Sequence, residues 1–561
     1  MQIRTIDAEL IRKCFLGGAN ALDAKKDIVN ELNVFPVPDG DTGTNMTMTI
    51  MSAAREVAAL PEKPDMKPLC KAISGGSLKG ARGNSGVILS QLLRGFTKSI
   101  QDQKEVDSTS LRVAFDKAVS QAYKAVMKPK EGTILTVARA GSEKALEMED
   151  RTDNLVETIN AVLIHMEDVL EQTPDMLPVL KEAGVVDSGG QGLLYFLQGC
   201  YDVLLGKEVN TELVQEQQEK PAATGEDSGK DIKFVYRTGF SIIIRKKISE
   251  DKEESFKSYL DSMGDNVSCS SDGKTMKVLL DTNDPGLILG RAMRFGALTQ
   301  ISIINLKDDE PAGQTPASAE APNEVKTEEK TPEPEQPEKL PHKTNAFISV
   351  SAGDGISEIF RDLGVDVIIE GGQTMNPSTE DILTAIDRID ADHIFILPNN
   401  GNILLAADQA KSMSKDQDVR VIRTKNIPQG VASMLGFIDG VDPDDNETAM
   451  NEAAEAIIEG EVTYAVRDTQ VDGHTIKTGD IMGISGKRIE AVGTDIVDTT
   501  VDLLNKLMTE ETELVTLYYG EEASEEQAAK IAAKIGLERL DVEFEIQYGG
   551  QPIYYYFISV E

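Results

Sequence analysis

Between residues 307 and 344 the chain carries seven prolines and eight glutamates and almost nothing apolar. Such a segment cannot bury enough surface to offset the entropy of ordering it. It is expected to be a flexible tether, so whatever folds must fold on either side of it. A second polar stretch over 206–231, rich in Glu, Gln and Lys, reads as a linker. Together they divide the 561 residues into expected domains at 1–205, 232–306 and 345–561, which fits a soft prior of about 150 residues per domain. A hydrophobic content of 40% supplies their cores.

The three parts have different periodicities. Ile3, Ile6, Leu10, Ile11, Phe15, Ala19, Leu22 and Ile28 recur near helical spacing, with Asp7 as N-cap. Further apolar stripes run through 111–127, 155–171 and 190–205, without strand-like alternation. The first part is therefore expected to be all helical, a bundle or barrel with its glycine-rich loops gathered at one end. The middle part reads as a small α/β unit, with strands at 234–244, 276–280 and 301–306 and helices at 250–263 and 286–295. The last part alternates strands (347–350, 365–369, 393–397, 419–423) with helices (355–363, 380–388, 403–412, 429–437), which implies a mostly parallel sheet in a three-layer α/β domain. Ser378 and Asp381 form an expected capping box. After residue 460 a β-rich stretch with a turn at Asp472-Gly473 leads to a final β-α-β-β pattern.

The chemistry concentrates in residues 33–46, Asn-Val-Phe-Pro-Val-Pro-Asp-Gly-Asp-Thr-Gly-Thr-Asn-Met. Asp39 and Asp41 share one side of an extended segment because side chains alternate with period two. Gly40 permits a sharp turn, and Gly43 permits close approach to a ligand. Hard oxygen donors on such a loop suit Mg²⁺, which binds through a few carboxylates and keeps positions for water or phosphate oxygens. An EF-hand would need an acidic or amide side chain at Gly43 and Glu at Ile50, so that reading fails. A plain turn between helices also accepts these residue types.

A second segment, 74–86, holds five glycines, three serines, Lys79 and Arg82, and leads into an apolar helix over 87–96. Backbone N–H groups of such a loop can form an anion-binding concavity at a helix N-terminus. It is not a Walker A motif, and Gly80, Gly83 and Gly86 miss the dinucleotide spacing.

These two loops, with Glu131-Gly132-Thr133-Ile134-Leu135-Thr136 and Asp187-Ser188-Gly189-Gly190-Gln191-Gly192, resemble the nucleotide-binding subunit of dihydroxyacetone kinases. More closely, they resemble the bacterial fatty acid kinase ATP-binding subunit. The motifs Glu370-Gly371-Gly372-Gln373-Thr374-Met375-Asn376-Pro377-Ser378-Thr379, Leu397-Pro398-Asn399-Asn400, Ile427-Pro428-Gln429-Gly430 and Tyr464-Ala465-Val466-Arg467-Asp468-Thr469 are typical of that family's C-terminal domain. The resemblance implies an all-helical barrel followed by the two α/β domains, with ATP and Mg²⁺ as cofactors. Asn33, Asp39 and Asp41 would hold the metal. Thr44, Asn45, Gly76, Ser77, Asn84 and Ser85 would contact the phosphates, Thr133 and Asp187 would line the pocket, and Lys79 and Arg82 would neutralise developing charge. Asn33 stands one residue upstream of the place of a third Asp in the dihydroxyacetone kinases, so the metal is expected to be held less tightly.

In the resembled family the middle domain commonly carries zinc. Here Thr238 stands where its Cys is expected, and Leu279 and Asp281 stand where two His belong, so no structural zinc is expected. The acceptor implied is the carboxylate of a fatty acid presented by a separate DegV-like carrier, giving acyl phosphate. A carboxylate is already ionised at neutral pH and needs no general base. None of the four His lies near a glycine loop. The C-terminal domain would dock the carrier, with Arg467 and the loop 371–376 as candidate contacts, and the tether would raise its effective concentration. A homodimer is compatible with the family. A dihydroxyacetone-type kinase and a non-catalytic partner-binding scaffold are the alternatives. A net charge of −38 argues against nucleic acid and anionic membranes. Four dispersed cysteines, no apolar run of about 18 residues and no signal-peptide layout make the chain an expected soluble cytoplasmic protein without an integral membrane segment.

Overall fold

The computed structural model describes residues 2–34, 40–126, 128–207, 340–372, 376–466, 468–471, 473–486, 488–537 and 539–561. In the middle part it describes 236–244, 264–271, 275–282 and 296–305, with single residues 260, 288 and 292. Asp39, Arg467, Asp472, most of the 206–231 linker, most of both middle-part helices and the tether over 307–339 lie outside the described residues. Two compact units emerge. One joins Met1–Lys220 to Pro334–Glu561, and the other is Pro221–Glu333.

The first unit begins with β1 (Ile6–Asp7), α1 (Ala8–Asp23), α2 (Lys26–Glu31), α3 (Thr42–Ala58), α4 (Met66–Lys79), α5 (Gly83–Ile100), β2 (Glu105–Val106), α6 (Ser108–Ala125), α7 (Ile134–Glu149), α8 (Leu155–Glu171), α9 (Thr173–Met176), α10 (Pro178–Ala183) and α11 (Ser188–Leu204). Asp7 caps α1 by accepting the Leu10 N–H at 2.9 Å. Ile11, Phe15, Leu22 and their neighbours on one stripe of α1 are buried. Neighbouring helices then close a ring: α1 packs on α3, α3 on α4, α4 on α5, α5 on α6, α6 on α7, α7 on α8, α8 on α11, and α11 returns to α1. The expected helical barrel is present. Phe15 meets Phe196 edge-on across its seam at 5.6 Å.

The second unit is an antiparallel sheet of β3 (Tyr236–Ile244), β4 (Gly264–Ser271), β5 (Thr275–Thr282) and β6 (Gly296–Asn305) in the order β4-β5-β3-β6. Strand β4 is absent from the sequence expectation because its Gly264–Ser271 run of small and polar residues lacks apolar alternation. The cross-strand register sorts the residues weighed for zinc between the two faces of this sheet. Thr238 lies opposite Leu280, whereas Arg237 lies opposite Asp281. Facing residues share a side of the sheet, so Arg237, and not Thr238, shares the face of Leu279 and Asp281. Arg237 donates to both oxygens of the Asp281 carboxylate at 2.8 and 3.0 Å. Asp281, one of the three positions weighed for zinc, is thus engaged in an ion pair with Arg237.

The chain rejoins the first unit through β7 (Lys343–Ser351), α12 (Asp354–Asp362), β8 (Val367–Glu370), α13 (Thr379–Asp387), β9 (Ala391–Leu397), α14 (Leu404–Met413), β10 (Asp418–Val421), α15 (Ile427–Leu435) and α16 (Pro443–Ala456). Strand β7 starts four residues before the expected Phe347, so Lys343 and Thr344 belong to the sheet and not to the tether. The four strands form an all-parallel sheet in the order β10-β9-β7-β8. The Ser378–Asp381 capping box is formed at α13. A second, mixed sheet follows from β11 (Ile458–Tyr464), β14 (Ile481–Ser485), β15 (Arg488–Gly493), β16 (Leu514–Tyr519), β17 (Glu543–Tyr548) and β18 (Tyr554–Val560). The hairpin β12 (Thr469–Val471) and β13 (His474–Ile476) lies beside it, and α17 (Ile496–Leu507) and α18 (Glu525–Gly536) complete the part. Phe347, Phe360 and Phe395 share one core with Tyr518, Tyr554 and Phe557, which welds the two sheets.

The C-terminal part is not separate from the barrel. Ala81 and Val87 belong to the same apolar core as Ile382, Ile386, Ala406 and Ala410. The Thr379 N–H donates to the Ala81 carbonyl at 3.0 Å. Among the described residues no helix is long and apolar enough to cross a membrane.

Candidate functional site

The acidic loop expected to bind metal lies at the start of α3. Asp41 occupies the N-cap position, yet its carboxylate makes no capping bond. It accepts instead from the Asn376 amide Nδ2 at 2.6 Å. Asp41 is 8% exposed and Asn33 2%. The Thr42 hydroxyl donates to Asn33 Oδ1, which ties the chain just after α2 to the first turn of α3. Gly40 turns the chain at φ 65°.

Thr44 and Asn45 follow in the first turn of α3. Asn30 holds Thr44 twice: its Oδ1 accepts the Thr44 N–H at 3.0 Å, and its Nδ2 donates to the Thr44 hydroxyl at 3.0 Å. Asn30 is not among the residues expected from sequence. The available signal is its place three residues before Asn33, one helical turn away. Gly43 is required here because a Cβ would come within 2.0 Å of the Lys26 carbonyl oxygen.

The second segment is mostly not a loop. Residues 74–79 complete α4, and only Gly80–Arg82 connect it to α5. Gly76 and Ser77 thus lie inside a helix and not in a phosphate-cradling loop. A Cβ at Gly76 would meet the Ala53 Cα at 2.7 Å, so this glycine serves the packing of α4 on α3. The Ser77 hydroxyl donates to the Ile73 carbonyl at 2.7 Å and is fully buried. A repeated glycine spacing cannot distinguish a ligand cradle from close helix packing. Asn84 and Ser85 do lie in the first turn of α5, whose N-cap residue, Arg82, makes no side-chain capping bond. Gly83, at φ 57°, seats against the Asn45 amide, so the N-terminal turns of α3 and α5 converge.

Arg82 donates to the Asn376 carbonyl at 2.8 Å and lies 3.4 Å from the Asp381 carboxylate. Its charge is directed to the C-terminal part. Asn84 Nδ2 donates to Asn402 Oδ1 at 2.9 Å. Gln91 Nε2 donates to Gln409 Oε1 at 2.9 Å, while Gln409 Nε2 donates to the Leu78 carbonyl at 2.6 Å. Lys79 lies in the last turn of α4.

Thr133 and Asp187 are the N-cap residues of α7 and α11. The Thr133 hydroxyl donates to the Lys130 carbonyl at 2.8 Å. Asp187 accepts the Gly190 N–H at 2.7 Å and a backbone N–H from Ile134, so one carboxylate serves two helix starts. Its burial pushes the carboxyl pKa up to about 6 against those bonds. A Cβ at Gly192, in the second turn of α11, would meet the Met46 sulfur in the second turn of α3 at 2.8 Å. The starts of α3, α5 and α11 are therefore neighbours, and α7 is tied to α11 through Asp187.

Asp41 and Asn33 offer buried hard oxygens near the start of α5, which has no side-chain cap, a donor set that fits Mg²⁺ with a phosphate. Among the described residues no group of three or more His, Cys, Asp or Glu converges to hold a metal, at this site or elsewhere.

Three family models match the chain: the DAK2 domain over residues 36–202, the FakA-like middle domain of fatty acid kinases over 233–312 and the FakA-like C-terminal domain of fatty acid kinases over 346–561. Protein YloV of Bacillus subtilis is 40% identical over 569 residues, covering 100% of both chains. The dihydroxyacetone kinase of C. freundii in complex with AMP-PNP and Mg²⁺ aligns over 35% of this chain and 34% of its own, at 16% identity and a TM-score of 0.28. A fatty-acid-binding DegV family protein from Thermus thermophilus aligns over 39% of this chain and 100% of its own, at 12% identity and a TM-score of 0.30. With its full-length relative and its three domain matches, the chain belongs to the FakA-like family of fatty acid kinase proteins.

Proposed function

We propose that the chain is the ATP-using component of a fatty acid kinase, which transfers the γ-phosphoryl group of Mg-ATP to the carboxylate of a fatty acid presented by a separate DegV-like carrier. The observation that carries this reading is the buried Asp41–Asn33 pair at the start of α3, set against the start of α5 through Gly83. Asp41, Asn33 and the sequence-assigned Asp39 would hold Mg²⁺, which when bound neutralises phosphate charge. The open N–H groups of Asn84 and Ser85 would receive phosphate oxygens, with the α5 dipole favouring their negative charge. Asn30 fixes the first turn of α3, so that the carboxylate does not need to reorganise when the nucleotide arrives.

In the reaction a carboxylate oxygen forms a bond to the γ-phosphorus while the bond to the β,γ-bridging oxygen breaks. ADP leaves with that electron pair, and no proton has to be taken from the acceptor. This suits a loop chemistry built from carboxylates, amides and hydroxyls, with no His in any of the glycine-rich segments.

The test is Mg²⁺-dependent ATP consumption by the full chain, with and without a DegV-like protein loaded with fatty acid, beside Asp41→Ala. Turnover that requires the loaded carrier and is lost in the variant supports the reading. ATP binding without carrier-dependent turnover points to another acceptor, such as dihydroxyacetone. No ATP binding leaves a scaffold.

A further inference from the structure

Asn376 lies in the C-terminal part, 335 residues along the chain from Asp41, yet its side chain rests on the carboxylate assigned to the metal. It is 2% exposed. Its backbone is held in place: the Asn376 carbonyl accepts from Arg82, and Thr379, three residues on, bonds the Ala81 carbonyl. Its amide is only half used. Nδ2 donates to Asp41 Oδ2 at 2.6 Å, while Oδ1 is buried with no hydrogen-bond partner. A buried acceptor without a donor is costly, and folded proteins rarely keep one without a use for it.

An oxygen with no donor beside a carboxylate is what a hard cation requires. The two ends of an amide are nearly equal in size, so a half-turn of the Asn376 side chain exchanges Nδ2 for Oδ1 without moving the backbone. Oδ1 would then face Asp41 Oδ2. Neighbouring oxygens around Mg²⁺, each about 2.1 Å from the ion, lie roughly 3 Å apart, close to the 2.6 Å that now separates the two side chains. Without a cation the N–H end faces the carboxylate and stabilises its charge. With a cation the carbonyl end turns toward the ion that Asp41 holds.

Resting on the metal reading of Asp41 given above, we infer that Asn376 is a ligand of that metal. A side chain of the C-terminal part completes the N-terminal site, so cation loading at the phosphate-binding loops depends on docking of the C-terminal part. The alternative use of the same contact, an amide that competes with the cation for Asp41, predicts the opposite change in affinity.

The experiment measures Mn²⁺ binding to the full chain by electron paramagnetic resonance, with and without AMP-PNP, for wild type, Asn376→Ala, Asn376→Asp and Asp41→Ala. Far-UV circular dichroism and thermal midpoints check folding. The expected result is a roughly 10–100-fold weaker Mn²⁺ affinity in Asn376→Ala, the range seen when a supporting partner of a metal site is lost. Asn376→Asp, which keeps an oxygen at this position, returns the affinity to wild type or better. Mn²⁺ affinity unchanged or tighter in Asn376→Ala overturns the inference, as does Asn376→Asp binding no better than Asn376→Ala. If Asp41→Ala binds Mn²⁺ like wild type, the metal reading itself fails, and that outcome is distinct from the failure of Asn376 alone.

Discussion

Replacing Gly43 by Ala tests whether the start of α3 is built by close approach. The new Cβ would lie 2.0 Å from the Lys26 carbonyl oxygen and 2.8 Å from Asn30 Oδ1, where real contacts essentially never fall below 3.0 Å. Because the nearer atom is backbone, α2 must retreat from α3 by about 1 Å or more to restore an ordinary contact. That stretches both Asn30–Thr44 hydrogen bonds, now 3.0 Å, out of range. Losing two such bonds and forcing a packed contact apart costs about 2–6 kcal/mol. Asn33 follows α2 directly, so Mn²⁺ affinity should fall with stability. The chain contains no tryptophan, so urea unfolding is followed by far-UV circular dichroism, with Gly401→Ala as control because a Cβ there meets nothing within 4 Å. A Gly43→Ala protein within about 0.5 kcal/mol of the control, the ordinary range for surface substitutions, would refute the close-approach argument.

Other expectations follow from single contacts. The Asp187 carboxyl is raised from 3.8 to about 6 in the folded chain, so the folded state binds its proton more tightly than the unfolded state. Stability from this group is therefore present at low pH and lost as pH rises from about 4 to about 6. Asp187→Asn removes the charge and keeps one acceptor oxygen for the Gly190 N–H, and should be more stable than wild type at neutral pH, by about 3 kcal/mol at most, with the gap narrowing toward pH 4 in urea titrations; a pH-independent gap contradicts this. In the second unit, Arg237→Cys with Leu279→His and Asp281→His should bind one zinc in a chelator-displacement assay, whereas Thr238→Cys with the same two His should not, because residue 238 faces the other side of the sheet. Gln409→Ala removes a buried amide that serves both Leu78 and Gln91. It should cost about 1–3 kcal/mol and speed hydrogen exchange over residues 78–91, while unchanged exchange there would show that the contact does not hold the two parts together.

Local signals carry most of the fold. Asp7, Ser378 and Asp381 announce their helices because a cap needs only neighbours within a turn. The parallel strands declare themselves through buried runs such as Ile394–Leu397, which need no partner to be read. Strand β4 stays hidden because Gly, Asp, Asn and Ser carry no apolar alternation, and α16 because its Asp, Asn and Glu residues conceal a narrow buried stripe of Asn446, Met450 and Ala454. At the candidate site, Asp41 and Asn33 are legible as chemistry, but the destination of 74–79 is not. Helix packing and phosphate binding both select glycine and serine. The sequence suggests the C-terminal loop at 371–376 as a surface for a carrier, whereas Asn376 at its end contacts this chain's own Asp41 and Arg82. No single-sequence pattern links residues so far apart.

The 335-residue separation of Asp41 and Asn376 also orders events during synthesis. At roughly 5–20 residues per second, the ribosome takes about 20–70 s to make Asn376 after Asp41. The barrel can close its ring long before then, because every helix in it lies before residue 205. Through much of that interval the nascent chain would hold a folded barrel whose carboxylate loop faces solvent and whose Ala81 and Val87 await their apolar partners. The Asn376 cap on that loop is therefore among the later contacts to form, and a chain released early would keep the barrel without it.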